Sequence, residues 1–206
     1  MANKGCSWPV GRARRLVCGG WVSFSVSARS WTWWGVLGMV EGSDPEIKDD
    51  VLIYMAHHDH LGLGAERDQH GDNIYNGAVD NAAGTAALLA IAKAYADLDQ
   101  RPPRSIMFAA VGAEEQGLLG SKHFAENPPI APGQMAAVIN MDGTNMIGRT
   151  HDVNVIGHGK SNLDAIIEAV AKALGRIVTP DNFPDRGYYY RSDQFSLAKI
   201  GVPGVY

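Results

Sequence analysis

The sequence predicts an α/β fold of three layers, with helices on both faces of a mostly parallel, mixed sheet. Three observations carry that reading. Continuous apolar runs at 51–56, 105–111 and 135–140 have the length and content of strands buried on both faces. Helical patterns at 81–98 and 115–126 separate these runs, so strand and helix alternate as in a layered α/β sheet. Each apolar run also stops at a turn bearing carboxylates or imidazoles, at the strand ends where ligands bind in such folds.

Taken in order, the chain opens on a segment that stands apart. Both cysteines (Cys6, Cys18) and all five tryptophans (Trp8, Trp21, Trp31, Trp33, Trp34) lie in its first 34 residues. The first 40 residues contain Lys4, Arg12, Arg14, Arg15 and Arg29 but no acid, so the net charge of −4 joins a basic leader to an acidic remainder. Three readings of the leader stay open. A secretory signal would have its apolar stretch at 16–26 and Val26-Ser27-Ala28 as its cleavage site, which would place the domain in the periplasm or outside the cell. The others are a misframed start and a genuine structural extension. The expected division is a disordered leader over 1–35 and a domain over 36–206.

Beyond the leader, 36–40 reads as a short strand and 41–50 as a polar loop with Pro45. The apolar run 51–56 leads into a glycine-rich loop over 61–77. The Ala/Leu-rich helix 81–98 carries few charges before Lys93, so most of it is expected to be buried. Arg101-Pro102-Pro103 ends it. A strand at 105–111 precedes a helix at 115–126, which Asn127-Pro128-Pro129 stops. A strand follows at 135–140, and another at 151–156 nearer an edge. An amphipathic helix over 161–174 has Ser161 or Asn162 as its N-cap and Gly175 as its close. The pattern then gives a loop at 179–190, a short helix at 192–198 and a strand beginning at 200.

Composition narrows the function. With 206 residues, 46% hydrophobic and 19% charged, the chain can build one domain with a real core. Its negative net charge offers no attraction for nucleic acid. No apolar run reaches the ~18–20 residues of a membrane helix.

The strand-end turns supply the chemistry. They are His57-His58-Asp59-His60, Asp80-Asn81-Ala82-Ala83-Gly84, Glu114-Glu115 and Asn140-Met141-Asp142. Zinc takes imidazole nitrogen and carboxylate oxygen. Two metal ions about 3.5–4 Å apart can share a bridging carboxylate. Such a pair needs a bridging acid, a histidine and acids on each metal, and a free carboxylate to move protons. His57, Asp80, Glu114, Glu115 and Asp142 provide that set. Each alone has a plainer reading: Glu114-Glu115 as a solvated helix start, Asp80 and Asp142 as turn caps. His58 is expected to point away from the site, and His60 to be loop architecture or a pocket wall. Tyr188-Tyr189-Tyr190 lines a pocket or packs a long loop. Asp193 supports the site or caps a helix.

From about residue 36 onward the chain resembles the co-catalytic zinc aminopeptidases of metallopeptidase family M28. The motifs that carry the resemblance are His57-x-Asp59, Asp80-Asn81-x-x-Gly84, Gly112-Ala113-Glu114-Glu115-x-Gly117, Asn140-Met141-Asp142 and Arg191-Ser192-Asp193, in the family's order. The resemblance implies a sheet of the zinc-peptidase (phosphorylase/hydrolase-like) type and peptide substrates. It implies Zn2+ held by His57, Asp80 and Asp142, with Asp80 bridging to a second Zn2+ also bound by Glu115. It makes Glu114 the general base and Asp59 the residue that orients His57, and it implies a cis peptide at Asp80-Asn81. The family's remaining ligand, a histidine after the strand that here ends at Tyr206, has no counterpart. His123, His151 and His158 lie in unrelated segments, so a C-terminally truncated chain with an incomplete second site is expected.

Competing functions remain. Glutaminyl-cyclase-like or carboxypeptidase-like activity suits the same fold, and a metal-deficient homologue would be a binding module. His57-His58-Asp59-His60-x-Gly62 also resembles the metallo-β-lactamase pattern, but Met55 stands where that pattern needs its first histidine.

Overall fold

The computed structural model describes the backbone of residues 21–28 and 31–206, and side chains from residue 35 onward. The central sheet contains β1 (Trp21–Ala28), β2 (Trp31–Val40), β3 (Val51–His57), β6 (Ile106–Val111), β7 (Met135–Asn140) and β10 (Gly204–Val205). Between them come the short hairpin strands β4 (Gly62–Leu63) and β5 (Ile74–Tyr75), and a parallel pair, β8 (Asp152–Val155) and β9 (Ile177–Pro180). The helices are α1 (Gly84–Ala96), α2 (Leu119–Glu126), α3 (Leu163–Ala173) and α4 (Gln194–Ala198).

The sheet order is β1-β2-β6-β3-β7-β10. β6, β3, β7 and β10 run parallel, while β2 pairs antiparallel with β6 and β1 with β2. The sheet is thus mixed and mostly parallel in its centre. Of the leader expected over 1–35, residues 1–20, 29 and 30 lie outside the described residues. Within 21–35 the backbone forms β1 and the start of β2.

Alternation along β3 builds two cores. Ile53 and Met55 face Val111, Phe124, Val138, Leu197 and Val202, which brings α2 and α4 onto that side. Leu52, Tyr54 and Ala56 face Leu88, Ile91, Tyr95 and Phe108, which brings α1 onto the other. Full burial of a side chain such as Ile53 or Met55 contributes roughly 1.5–3 kcal/mol of transfer free energy. Rings of Tyr54 and Phe108 stack with centroids 5.9 Å apart under α1.

Several elements differ from their sequence reading. Only Gly84 and Leu88 of α1 are buried and Leu89 is exposed, so the helix covers the sheet with one narrow side. It starts at Gly84 because Asp80 and Asn81 have non-helical backbone angles. α2 starts at Leu119 because Leu118 takes a left-handed φ of 62°. β9 falls partly inside the expected loop, where Val153 and Val178 come into register. Asp193 precedes α4 without a side-chain capping hydrogen bond, so the cap reading fails. Among the described residues, no helix is long and apolar enough to cross a membrane.

The topology fixes where a site can form. The chain leaves β3 toward β6 on one side and leaves β7 toward β10 on the other. Adjacent strands whose connections diverge open a crevice at their carboxyl ends. His57 ends β3, and Asp142 lies two residues past the end of β7.

Candidate metal centre

His57 is fully buried at that crevice. Its Nδ1 lies 3.2 Å from the carbonyl oxygen of Asp59 and 3.6 Å from Asp59 Oδ1. Those acceptors favour a proton on Nδ1, which turns the Nε2 lone pair toward the crevice. Nε2 is 3.1 Å from Asp80 Oδ1 and 3.1 Å from Asp142 Oδ1. A lone pair facing two carboxylates is stable only with a cation among them. With a proton in that role, the imidazole pKa is pushed up to about 11: burial opposes the charge, but the acceptors Asp142 and Asp59 outweigh it. Burial also works against ionisation of Asp142, yet His57 and the Ser192 hydroxyl, which donates to Oδ2, hold its carboxyl below the usual range.

Asp80 reaches the site from an irregular turn, Ala78–Ala83, and the peptide joining it to Asn81 is cis. Asn81 knits the site together. Its buried side-chain amide donates to the carbonyls of His57 (3.2 Å) and Met141 (2.8 Å). Its Oδ1 accepts from the N–H groups of Gly84 (3.1 Å) and Gly143 (3.0 Å). One side chain therefore ties the ends of β3 and β7 to the start of α1. Gly84 completes the joint, because a Cβ there would stand 2.4 Å from the Met141 carbonyl oxygen. The sequence reading used Asn81 and Gly84 only as motif markers. Their bonding depends on β3 and β7 being neighbours, which spacing does not reveal.

Glu114 and Glu115 follow β6. Ala113 is fully buried with φ 60°, a conformation unusual for a residue with a side chain. It turns the chain sharply so that Glu114 N–H donates to Asp59 Oδ1 at 3.2 Å. Asp59 thus braces both His57 and Glu114. Burial pushes the Glu114 carboxyl up to about 8, with Asp193 adding to the shift, His57 opposing it, and Asp142 and Glu115 contributing on the raising side. Asp193 is itself fully buried near these groups, and burial raises it to about 7.

Two sets of donor atoms result. His57, Asp80 and Asp142 form one, and His60, Asp80 and Glu115 the other; in each, the atoms lie within 4.8 Å of one another. Zinc bonds of roughly 2.0–2.2 Å at tetrahedral angles set ligand atoms about 3.3 Å apart. The two 3.1 Å separations at His57 Nε2 agree with that spacing. The residues therefore fit a metal ion. Asp80 belongs to both sets. His60, which the sequence assigned to loop architecture or a pocket wall, joins the second.

The other aromatic and histidine candidates separate clearly. Tyr188 lines a cavity of about 560 Å³ beside Asp142, together with Asp181, Phe183 and Tyr206. Tyr189 and Tyr190 pack edge-on to each other and to Phe195 instead. His58 lies on the α1 side, beside Leu88 and Phe108. Met55 is fully buried in the core, far from the role a metallo-β-lactamase ligand would need.

The chain is similar to known proteins over most of its described length. The sequence model of peptidase family M28 matches residues 35–206. Aminopeptidase NAALADL1 of Rattus norvegicus is 49% identical over 96 residues, 44% of this chain and 11% of that protein. Leupeptin-inactivating enzyme 1 of Streptomyces exfoliatus is 32% identical over 163 residues, 79% of this chain and 32% of that protein. The match thus spans a third or less of these relatives' lengths. The zinc aminopeptidase BSAP of Bacillus subtilis superposes with a TM-score of 0.64 at 22% identity, covering 86% of this chain and 40% of its own. That likeness establishes the shared fold. With the family match running from the second strand to Tyr206, the chain belongs to peptidase family M28.

Proposed function

We propose that this chain carries the catalytic centre of a co-catalytic zinc aminopeptidase, one that removes N-terminal residues from peptides. The observation that carries the reading is that Asp80 is common to both donor sets, as a carboxylate shared between two metal positions must be. Membership of this peptidase family supports zinc as the metal and peptides as the substrate class.

His57, Asp80 and Asp142 would hold one zinc ion, and Asp80 with Glu115 would help hold another. Bound zinc supplies Lewis-acid polarisation of the scissile carbonyl and a more acidic water. Glu114 takes the proton from the attacking water and delivers it to the leaving amine. Its half-buried, anion-flanked position suits a carboxylate that must both accept and release a proton. Asp59 holds His57 and the Glu114 backbone in register. The cavity beside Asp142, walled by Phe183, Tyr188 and Tyr206, offers aromatic surface to a substrate side chain.

A substrate panel tests the proposal. Aminoacyl anilides with a free α-amine are expected to be cleaved in the presence of zinc, and their N-acetyl counterparts to be spared. Equal cleavage of both, release from the carboxyl end, or cyclisation of N-terminal glutamine would overturn the aminopeptidase assignment.

A further inference from the structure

We propose that His60 is a metal ligand: it supplies the imidazole at the second position, with Asp80 and Glu115. The inference rests on the metal-centre reading above and extends it to a residue outside the motif set. His60 Nδ1 lies 2.5 Å from Glu115 Oε1. Both atoms are buried, and neither makes a hydrogen bond in the structure. An imidazole and a carboxylate in direct ion-pair contact beside the Asp80 carboxylate, with no hydrogen bond fixing either atom elsewhere, form a donor set that a divalent cation would engage as the pair parts to the roughly 3.3 Å spacing of zinc ligands.

The surroundings hold the imidazole in that place. The Tyr75 ring of the β4–β5 hairpin meets it edge-on, with centroids 6.1 Å apart. Gly77 presses against it from the other direction. A Cβ at Gly77 would stand 3.0 Å from His60 Cβ and 3.0 Å from the Asp80 carbonyl oxygen, and its φ is +65°. The same glycine therefore gives room to His60 and sets the entry of the chain into Asp80. The position resembles the first set in composition: one imidazole, the shared Asp80 and one further carboxylate.

Metal stoichiometry tests the role without reference to turnover. The protein and its His60→Ala variant are dialysed against buffered free zinc, and bound zinc is measured by elemental analysis. The unmodified protein is expected to hold about two equivalents and His60→Ala about one, with the tighter equivalent unchanged. Should His60→Ala fail to fold, long-range 1H–15N NMR of the unmodified protein replaces it. The His60 Nδ1 resonance is then expected to shift as the weaker equivalent is added. Equal stoichiometry in both proteins, or a His60 Nδ1 resonance indifferent to zinc, overturns the His60 assignment while leaving the first position standing. No zinc bound by the unmodified protein overturns the metal-centre reading itself.

Discussion

The two donor sets share Asp80 but are built by different means. The His57 set rests on the sheet. His57 ends a central strand, Asp142 closely follows its neighbour, and Asn81 and Ser192 hold both by hydrogen bonds. The His60 set rests on turns. His60 and Glu115 lie outside the strands, and packing from Tyr75 and Gly77 positions the imidazole. Backbone pairing and buried hydrogen bonds fix a site to within fractions of an ångström, whereas loops open locally at little cost. The first position should therefore bind metal more tightly and survive when the second is emptied.

The strongest way to sharpen this comparison is to separate metal from chemistry. Glu114 belongs to neither set, so Glu114→Gln should lower kcat by roughly 10²–10⁴-fold. Elemental analysis should find zinc retained. Retained turnover would remove Glu114 from the mechanism. A direct way to break the comparison is His57→Ala. It should weaken the tighter zinc by more than about a hundredfold, beyond the 10–100-fold typical of residues that only support a ligand. Calorimetric titration would measure this.

Asn81→Ala asks whether the sheet-built frame matters. It deletes the bonds to His57, Met141, Gly84 and Gly143; the Thr85 hydroxyl still donates to the His57 carbonyl, but the buried Gly84 N–H loses its Asn81 acceptor. Urea unfolding of the zinc-free protein should show a loss of about 2–4 kcal/mol. A negligible loss would mean that the strand ends hold the site without Asn81. The smallest expected effect is Asp59→Asn, which weakens one brace but removes no ligand. Zinc affinity should fall about tenfold, within the range for residues that orient a bound imidazole. A fall as large as that of His57→Ala would show Asp59 to be a ligand itself.

How much of this was legible beforehand follows the same division. Strands at 51–56, 105–111 and 135–140 were readable because a parallel sheet buries both faces and leaves continuous apolar runs. The turns that end them were conspicuous because carboxylates and imidazoles directly follow such runs. The hairpin that positions His60 left no comparable trace. Its strands have two residues each and are exposed, so neither alternation nor hydrophobicity marks them. β9 escaped for a related reason, since Ile177 is exposed and Pro180 closes the strand. The late start of α2 depends on Leu118 entering the left-handed region, which nothing about leucine foretells. The four bonds of Asn81 required knowing that residues 24 and 60 positions away would be adjacent.

Crystals of the protein equilibrated with zinc, with diffraction recorded on either side of the zinc absorption edge, would locate the metal outright. The strongest anomalous peak is expected within bonding distance of His57 Nε2 and the carboxylates of Asp80 and Asp142. A protein that crystallises with its fold intact and shows no zinc peak at that place would contradict the metal centre.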